Sequence, residues 1–281
     1  MIPYDFDYYR PKTIQEAIKL SRELKTAGKK AMYYGGGTEI ITMSRLNNIY
    51  ADAVIDIKNI PELNVYEIDG DELIIGAGLT LTHIAELNLF PLLSLAIKRI
   101  ADHTIQDKVT IGGNLMGSII YREASLAPMV ANSELLVGNP YGIKRIPFNK
   151  YWDMELEKKE GDLIIQIITK AKYLNLPYAH VKRTKNEKID YPLVSAVALL
   201  EDGKINIAFS GLCDMSFRSQ KIEEILNNNT IPVNSRINSI IDQIPYDLLD
   251  DNNGTPEYRK FILAKVLEEI IEKFEGGDLS A

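Results

Sequence analysis

Thr110-Ile111-Gly112-Gly113-Asn114-Leu115 is the stretch that decides the fold, because it answers an earlier glycine run, Gly35-Gly36-Gly37-Thr38-Glu39. Glycine lets backbone N–H groups turn inward at positive φ and approach a ligand with no Cβ in the way, and adjacent inward N–H groups make an anion-binding concavity. Two such loops imply one extended ligand, with a pyrophosphate as the natural guest. Tyr34 leads into the first loop, and Thr38, Thr110 and Asn114 stand beside the turns with short hydroxyl and amide groups able to bond its oxygens. Alone, the first run reads equally well as a flexible turn. Neither run is a G-x-G-x-x-G directly after a strand or a G-x-x-x-x-G-K-[ST], so a Rossmann site and a P-loop are not expected.

Outward from the loops, Thr13-Ile14-Gln15-Glu16 is a capping-box signature opening a helix with Ile14, Ala17, Ile18 and Leu24 on one face and a close near Gly28. Ala31-Met32-Tyr33-Tyr34 reads as a strand delivering the first loop, and Ala53 to Ile57 as another, giving a βαβ-like start. Tyr66 to Ile75 reads as a hairpin around Asp69-Gly70-Asp71. Helical patterning covers Leu81–Leu87 and Pro91–Ala101, strands are expected around Glu134–Val137 and Leu163–Thr169, and Glu155 to Asp162 reads as a charged turn between them. Past a boundary near 172, strands are expected at Tyr178–Val181, Val194–Leu200 and Ile205–Leu212, the last two joined at Asp202-Gly203. Two or three helices follow, the final one from Thr255-Pro256 to about Phe274.

The chain of 281 residues, 46% hydrophobic and 25% charged, has the composition of a globular protein with room for two domains. A net charge of -7 gives no broad cationic field, so nucleic acid is not an expected partner. The local cluster Lys182, Arg183, Lys185 and Lys188 reads as a site or a solvated turn. No apolar run approaches the roughly 20 residues needed to span a bilayer, and Met1-Ile2-Pro3-Tyr4-Asp5 lacks a signal-peptide pattern, so a cytoplasmic location is expected. The single cysteine, Cys213, excludes an intrachain disulfide and an all-cysteine cluster within this sequence, and reads as a small buried apolar residue at a strand end. His83 and Glu86 share a helix face but lack a nearby third metal ligand, and His103, just before the second loop, reads as a helix-end residue with cofactor contact as the alternative. No nucleophile, base and orienter set is present, so no catalytic or metal-ligating residue is assigned.

The two glycine runs, in this order and spacing, resemble those of the FAD-binding subunit of molybdenum hydroxylases, the group containing xanthine dehydrogenase, carbon monoxide dehydrogenase and nicotinate dehydrogenase. Phe6-Asp7-Tyr8-Tyr9-Arg10-Pro11, Ile55-Asp56-Ile57 to Ile60-Pro61-Glu62-Leu63, Leu73-Ile74-Ile75-Gly76-Ala77-Gly78 and Glu257-Tyr258-Arg259 resemble further landmarks in register, over nearly the whole chain. The resemblance implies an α+β fold: a two-lobed FAD-binding domain over residues 1–172, with lobes of about 1–58 and 59–172, then a C-terminal domain over 173–281 of a small antiparallel sheet with helices. It implies FAD at Tyr34, Gly35, Gly36, Gly37, Thr38, Glu39, Thr110, Gly112, Gly113 and Asn114.

Where related subunits end a segment in Asp-Leu-Ala-Pro, this chain has a run two residues longer, Met116 to Pro128. Counting from Asn114 places the ribityl-holding carboxylate at Glu123, and counting back from Pro128 places it at Ser125; Glu123 is preferred because a carboxylate can accept two hydroxyl bonds. Lys182 matches a lysine that approaches the flavin ring, where a cation would favour the anionic reduced form; a surface lysine is the plain alternative. Ile164 is implied to pack on the isoalloxazine or adenine, against the default of a core strand residue. The resemblance further implies an electron-transfer role, with a 2Fe-2S small subunit and a molybdopterin large subunit as partners in a dimer of heterotrimers, and NAD or another acceptor. The alternatives are a free-standing flavin oxidase and a scaffold subunit that has lost its flavin.

Overall fold

The computed structural model describes residues 2–154 and 161–276, so most of the charged turn expected at Glu155 to Asp162 lies outside the described residues. Two compact units emerge, one made of residues up to Leu87 with His103–Gly117 and Asn132–Ala171, the other of Asn88–Asp102, Ser118–Ala131 and the chain from Lys172 onward.

The first unit contains two sheets. β1 (Asp7–Tyr9) and β2 (Ala31–Tyr34) both run parallel to β3 (Ala53–Asp56), which lies between them. β3 is buried along its whole length, as expected of a central parallel strand, and reads as the unbroken apolar run Ala-Val-Ile before Asp56. α1 (Ile14–Thr26) connects β1 to β2. Thr13 caps it by accepting from Glu16 N–H at 3.2 Å, while the Glu16 carboxylate accepts from Lys12 N–H at 2.8 Å, a capping box shifted by one residue. α2 (Thr38–Arg45) follows the first glycine run.

The second sheet has the order β4-β5-β8-β6-β7, antiparallel throughout, from β4 (Tyr66–Asp69), β5 (Glu72–Gly76), β6 (Glu134–Asn139), β7 (Gly142–Pro147) and β8 (Leu163–Lys170). β7, absent from the sequence reading, is exposed along almost all its length, so it lacks the alternation that marks a half-buried strand. β8 is central and buried on both faces. Gly138 on β6 leaves space for Ile18 of α1 and Ile165 of β8, whose Cδ1 atoms would lie 2.8 and 3.1 Å from a Cβ there, so α1 covers this sheet too.

The second unit is a four-stranded antiparallel sheet in the order β12-β11-β10-β9, from β9 (Tyr178–Thr184), β10 (Pro192–Glu201), β11 (Lys204–Ser210) and β12 (Phe217–Arg218). One face buries Ala179, Val181, Val194, Ala196, Ala198, Ile207 and Phe209 with Leu263, Val266, Leu267 and Ile270 of the long C-terminal helix Pro256–Glu275. Each fully buried large aliphatic side chain there contributes roughly 1.5–3 kcal/mol. Arg259 on that helix is fully buried, donates to the carbonyls of Leu249, Leu193 and Gly211, and pairs with Asp251 at 2.6 Å, which explains the Glu257-Tyr258-Arg259 landmark as a structural hub. Strand alternation turns His180, Lys182, Ser195 and Val197 to the other face, and the helices Pro91–Ile97 and Leu126–Val130, from the segments that precede and follow the second glycine run, belong to this same unit.

Among the described residues no helix is long and apolar enough to cross a membrane, and no group of three or more His, Cys, Asp or Glu could hold a metal ion. Cys213 is buried, and burial pushes its thiol up to about 12, so it behaves as a small apolar residue.

Candidate functional site

The first unit brings the two glycine runs into contact. Gly36 lies so close to the chain before the second run that a Cβ would sit 1.7 Å from the Lys108 carbonyl oxygen, and one on Gly35 would sit 2.8 Å from Thr110 Oγ1. Neither distance is compatible with a side chain, so the glycines are required by the approach of one loop to the other. The expectation of positive φ holds at Gly37 alone (φ 70°); Gly35, Gly36, Gly112 and Gly113 have ordinary φ. They are small because neighbouring atoms crowd them, backbone at Gly36 and Gly112 and the Thr110 side chain at Gly35 and Gly113, not because the chain turns left-handed there.

Gly37 is the N-cap of α2 and makes no side-chain cap. The first N–H groups of a helix have no partner inside it and carry the positive end of its dipole, so this loop presents donors to an anion. The Tyr34 ring closes its side: its Cε2, Cζ and Oη would lie 2.3, 2.3 and 2.4 Å from a Cβ on Gly37. Glu39 is in the first turn, its carboxylate 2.6 Å from where a Cβ on Gly117 would be.

The second run forms the short helix Ile111–Met116. Thr110 caps it, its hydroxyl accepting from Gly113 N–H at 3.1 Å. The helix start is stitched to the Gly76-Ala77-Gly78 turn through Gly112 N–H to the Ala77 carbonyl and Ile111 N–H to the Leu79 carbonyl, both 2.9 Å, and a Cβ on Gly112 would lie 2.7 Å from that same Ala77 oxygen. Ile164 is a buried β8 residue opposite Val137.

In the second unit the structure joins two other candidates. Lys182 Nζ pairs with Glu123 Oε2 at 2.8 Å and donates to the Arg99 carbonyl at 2.7 Å. Lys182 and Glu123 are 2% and 4% exposed, so the alternative of a solvated lysine is overturned. Its sequence neighbours stay at the surface: Arg183 pairs with Glu269 in an exposed ion pair, Lys185 donates to the Asn252 carbonyl, and Lys188 lies in an exposed turn. Burial pushes the Lys182 ammonium down and the Glu123 carboxyl up, and each charge opposes the shift of the other.

Arg122 (φ 21°, ψ 47°) bends the longer Met116–Pro128 segment into a 3-10 turn, Glu123–Ser125, that places Glu123 inward. Among the described residues Glu123 Oε1 and Ser125 Oγ are buried without a hydrogen-bond partner, so both residues between which the count along the segment is divided offer polar atoms. His180 Nε2 contacts Ser195 Oγ at 3.2 Å, and burial, with Arg99 and Lys182 nearby, lowers its pKa to about 3, leaving it neutral at pH 7. Arg99, His180 and Ser195 were not singled out in the sequence. The only available signal was the spacing of His180 and Lys182 on one strand, which puts both on one face.

These loops suit a cofactor whose negative charge is taken up by backbone donors, and the chain is a FAD-binding oxidoreductase subunit. It belongs to the family described as the FAD binding domain in molybdopterin dehydrogenase, whose model matches residues 4–169. It is 28% identical over 192 residues to the carbon monoxide dehydrogenase medium chain of Hydrogenophaga pseudoflava, covering 65% of this chain and 66% of that one. It is 25% identical over 291 residues to the glyceraldehyde dehydrogenase medium chain of Sulfolobus acidocaldarius, covering 95% and 97%. Among solved structures, carbon monoxide dehydrogenase from Hydrogenophaga pseudoflava, in a form lacking the Mo-pyranopterin moiety of its cofactor, shares the fold with a TM-score of 0.85 at 21% identity over 98% of this chain and 99% of that one.

Proposed function

We propose that this chain is the electron-transfer station of a molybdopterin-dependent hydroxylase or dehydrogenase, taking electrons from 2Fe-2S clusters of a small partner subunit and passing them to NAD or another acceptor. The observation that carries it is the close approach of the two glycine loops, Gly36 against the Lys108 carbonyl and Gly35 against the Thr110 side chain, inside the region matched by the family. Bound FAD supplies a carrier that exchanges electrons singly or in pairs. The chain's own share is binding and orientation. Gly35–Thr38 at the start of α2 take the pyrophosphate, Tyr34 walls the loop, and Thr110, Gly112, Gly113 and Asn114 support it from the second run. In the second unit Lys182 holds Glu123 through Oε2.

Residues 1–172 are the proposed cofactor domain and 173–281 the C-terminal domain, a division of the sequence that the compact packing units do not follow. The relatives named as medium chains support a large and a small partner subunit; we assign these as a molybdopterin subunit and a 2Fe-2S subunit, in a cytoplasmic dimer of heterotrimers. Affinity purification from the native host, with an absorption spectrum of the product, tests the reading. Flavin bands with two co-purifying subunits are expected. Flavin with turnover of an organic substrate by the isolated chain would favour a free-standing oxidase, and a flavin-free chain would favour a scaffold.

A further inference from the structure

Beside the first glycine run stands a cation that neither motif contains. β3 ends in Asp56, which is 2% exposed and accepts from the Tyr8 hydroxyl, from Lys58 N–H at 3.0 Å and from Lys58 Nζ at 2.9 Å. These bonds fix the root and the tip of the Lys58 side chain, yet 43% of that side chain remains exposed. Its ammonium lies over the Tyr34 ring, 4.3 Å from the centroid, and the edge of the same ring closes on Gly37. Tyr34 is therefore the spacer that keeps a positive charge next to the loop. The loop itself brings the Glu39 carboxylate and no cation, in a chain of net charge -7, while a pyrophosphate adds further negative charge. A lysine on a flexible four-carbon stem, already held by one carboxylate, can share its three donors with an arriving phosphate.

We propose that Lys58 is a phosphate-binding residue for FAD, with Asp56 and Tyr34 as the residues that position it. This rests on reading Gly35–Gly37 as the pyrophosphate loop. FAD is titrated into the flavin-free full chain at several salt concentrations, followed by quenching of flavin fluorescence. Lys58→Gln keeps a donor for Asp56 and deletes the charge. Its dissociation constant for FAD should rise about tenfold, as for loss of a hydrogen bond to a charged group. The dependence of affinity on salt should become shallower than in the wild type. Lys58→Arg should stay within about threefold of the wild type, because it keeps the charge, and Lys19→Gln on α1 should bind as the wild type does.

Wild-type affinity and salt dependence in Lys58→Gln would overturn the proposal. So would a loss of affinity with unchanged salt dependence, or one matched by a lower thermal midpoint of the flavin-free chain, since either marks a purely structural role. Full FAD affinity in Gly37→Val would instead sink the loop reading and remove the ligand assigned to Lys58, as would a wild-type chain that takes up no FAD.

Discussion

The two units hold their candidate residues by opposite means. In the first, glycines make room for a neighbouring loop, and each ion pair keeps at least one partner at the surface, as where Arg145 forks onto Glu72 at 2.5 and 3.0 Å and Lys58 reaches the buried Asp56. In the second, backbone plays a minor part and the charges are inside, where Lys182 and Glu123 meet at 2.8 Å with almost no exposure. A loop contact built from backbone keeps its fold through changes of charge and fails on added volume. One built on a buried pair tolerates small changes of volume and fails when one charge is left alone.

The sharpest way to break this contrast is to remove half of the buried pair. Lys182→Met leaves Glu123 as an uncompensated interior charge, which costs about 3–5 kcal/mol. Glu123→Gln leaves a buried ammonium and should cost nearly as much, whereas the double variant Lys182→Met/Glu123→Gln should recover most of the loss because no lone charge remains. Urea unfolding of the three variants measures this cycle. Additive losses would mean that the two groups are not energetically paired.

Volume is the corresponding test of the first unit. Gly36→Ala places a methyl group 1.7 Å from a backbone carbonyl, which can yield only if the loops separate, so about 1–3 kcal/mol of stability and most of the FAD occupancy should be lost. Gly113→Ala differs although it lies in the matching motif. Its Cβ would meet only Thr110 Oγ1, at 2.9 Å, and alanine is the better helix former, so the change should stay within about 1 kcal/mol with flavin retained. Calorimetry with flavin content from absorbance separates the two, and equal behaviour would mean that the loops relax apart in solution.

What the sequence disclosed follows the same division. The glycine runs, the Thr13 and Thr255 caps, the Asp69-Gly70-Asp71 and Asp202-Gly203 turns and the apolar β3 and β8 are local patterns, and all stand where they were read. β7 escaped because an exposed edge strand has no buried face to impose alternation. The Lys182–Glu123 pair escaped because its partners are distant in sequence and a buried charge has no local signature. Lys182 in particular sits among Arg183, Lys185 and Lys188, so composition left a site and a solvated turn both open while strand alternation turned it inward. Of the two reasons offered for glycine in the motifs, positive φ applies only at Gly37 and close approach at the others, because crowding requires glycine as strictly as a left-handed turn does.

The smallest expected effect probes the exposed ion pairs of the first unit. Glu72 accepts from Arg145 and pairs with Lys170 at 2.7 Å, and those two cations lower its carboxyl from 4.5 to about 2. A carboxyl whose pKa is depressed by folding contributes stability above its unfolded value, and that contribution fades as pH falls through the folded one. The advantage of the wild type over Glu72→Gln should thus be full at pH 7, begin to shrink near 4.5 and approach zero near 2. Its size should be about 1 kcal/mol or less, since solvent screens the pair and the long side chains lose freedom in forming it, and added salt should reduce it further. Urea unfolding of both proteins at pH 7, 5, 4 and 3 measures the difference. If it grew on acidification, or reached the several kcal/mol expected for Lys182→Met, the surface network of the first unit would be as much a part of its architecture as the interior pair is of the second.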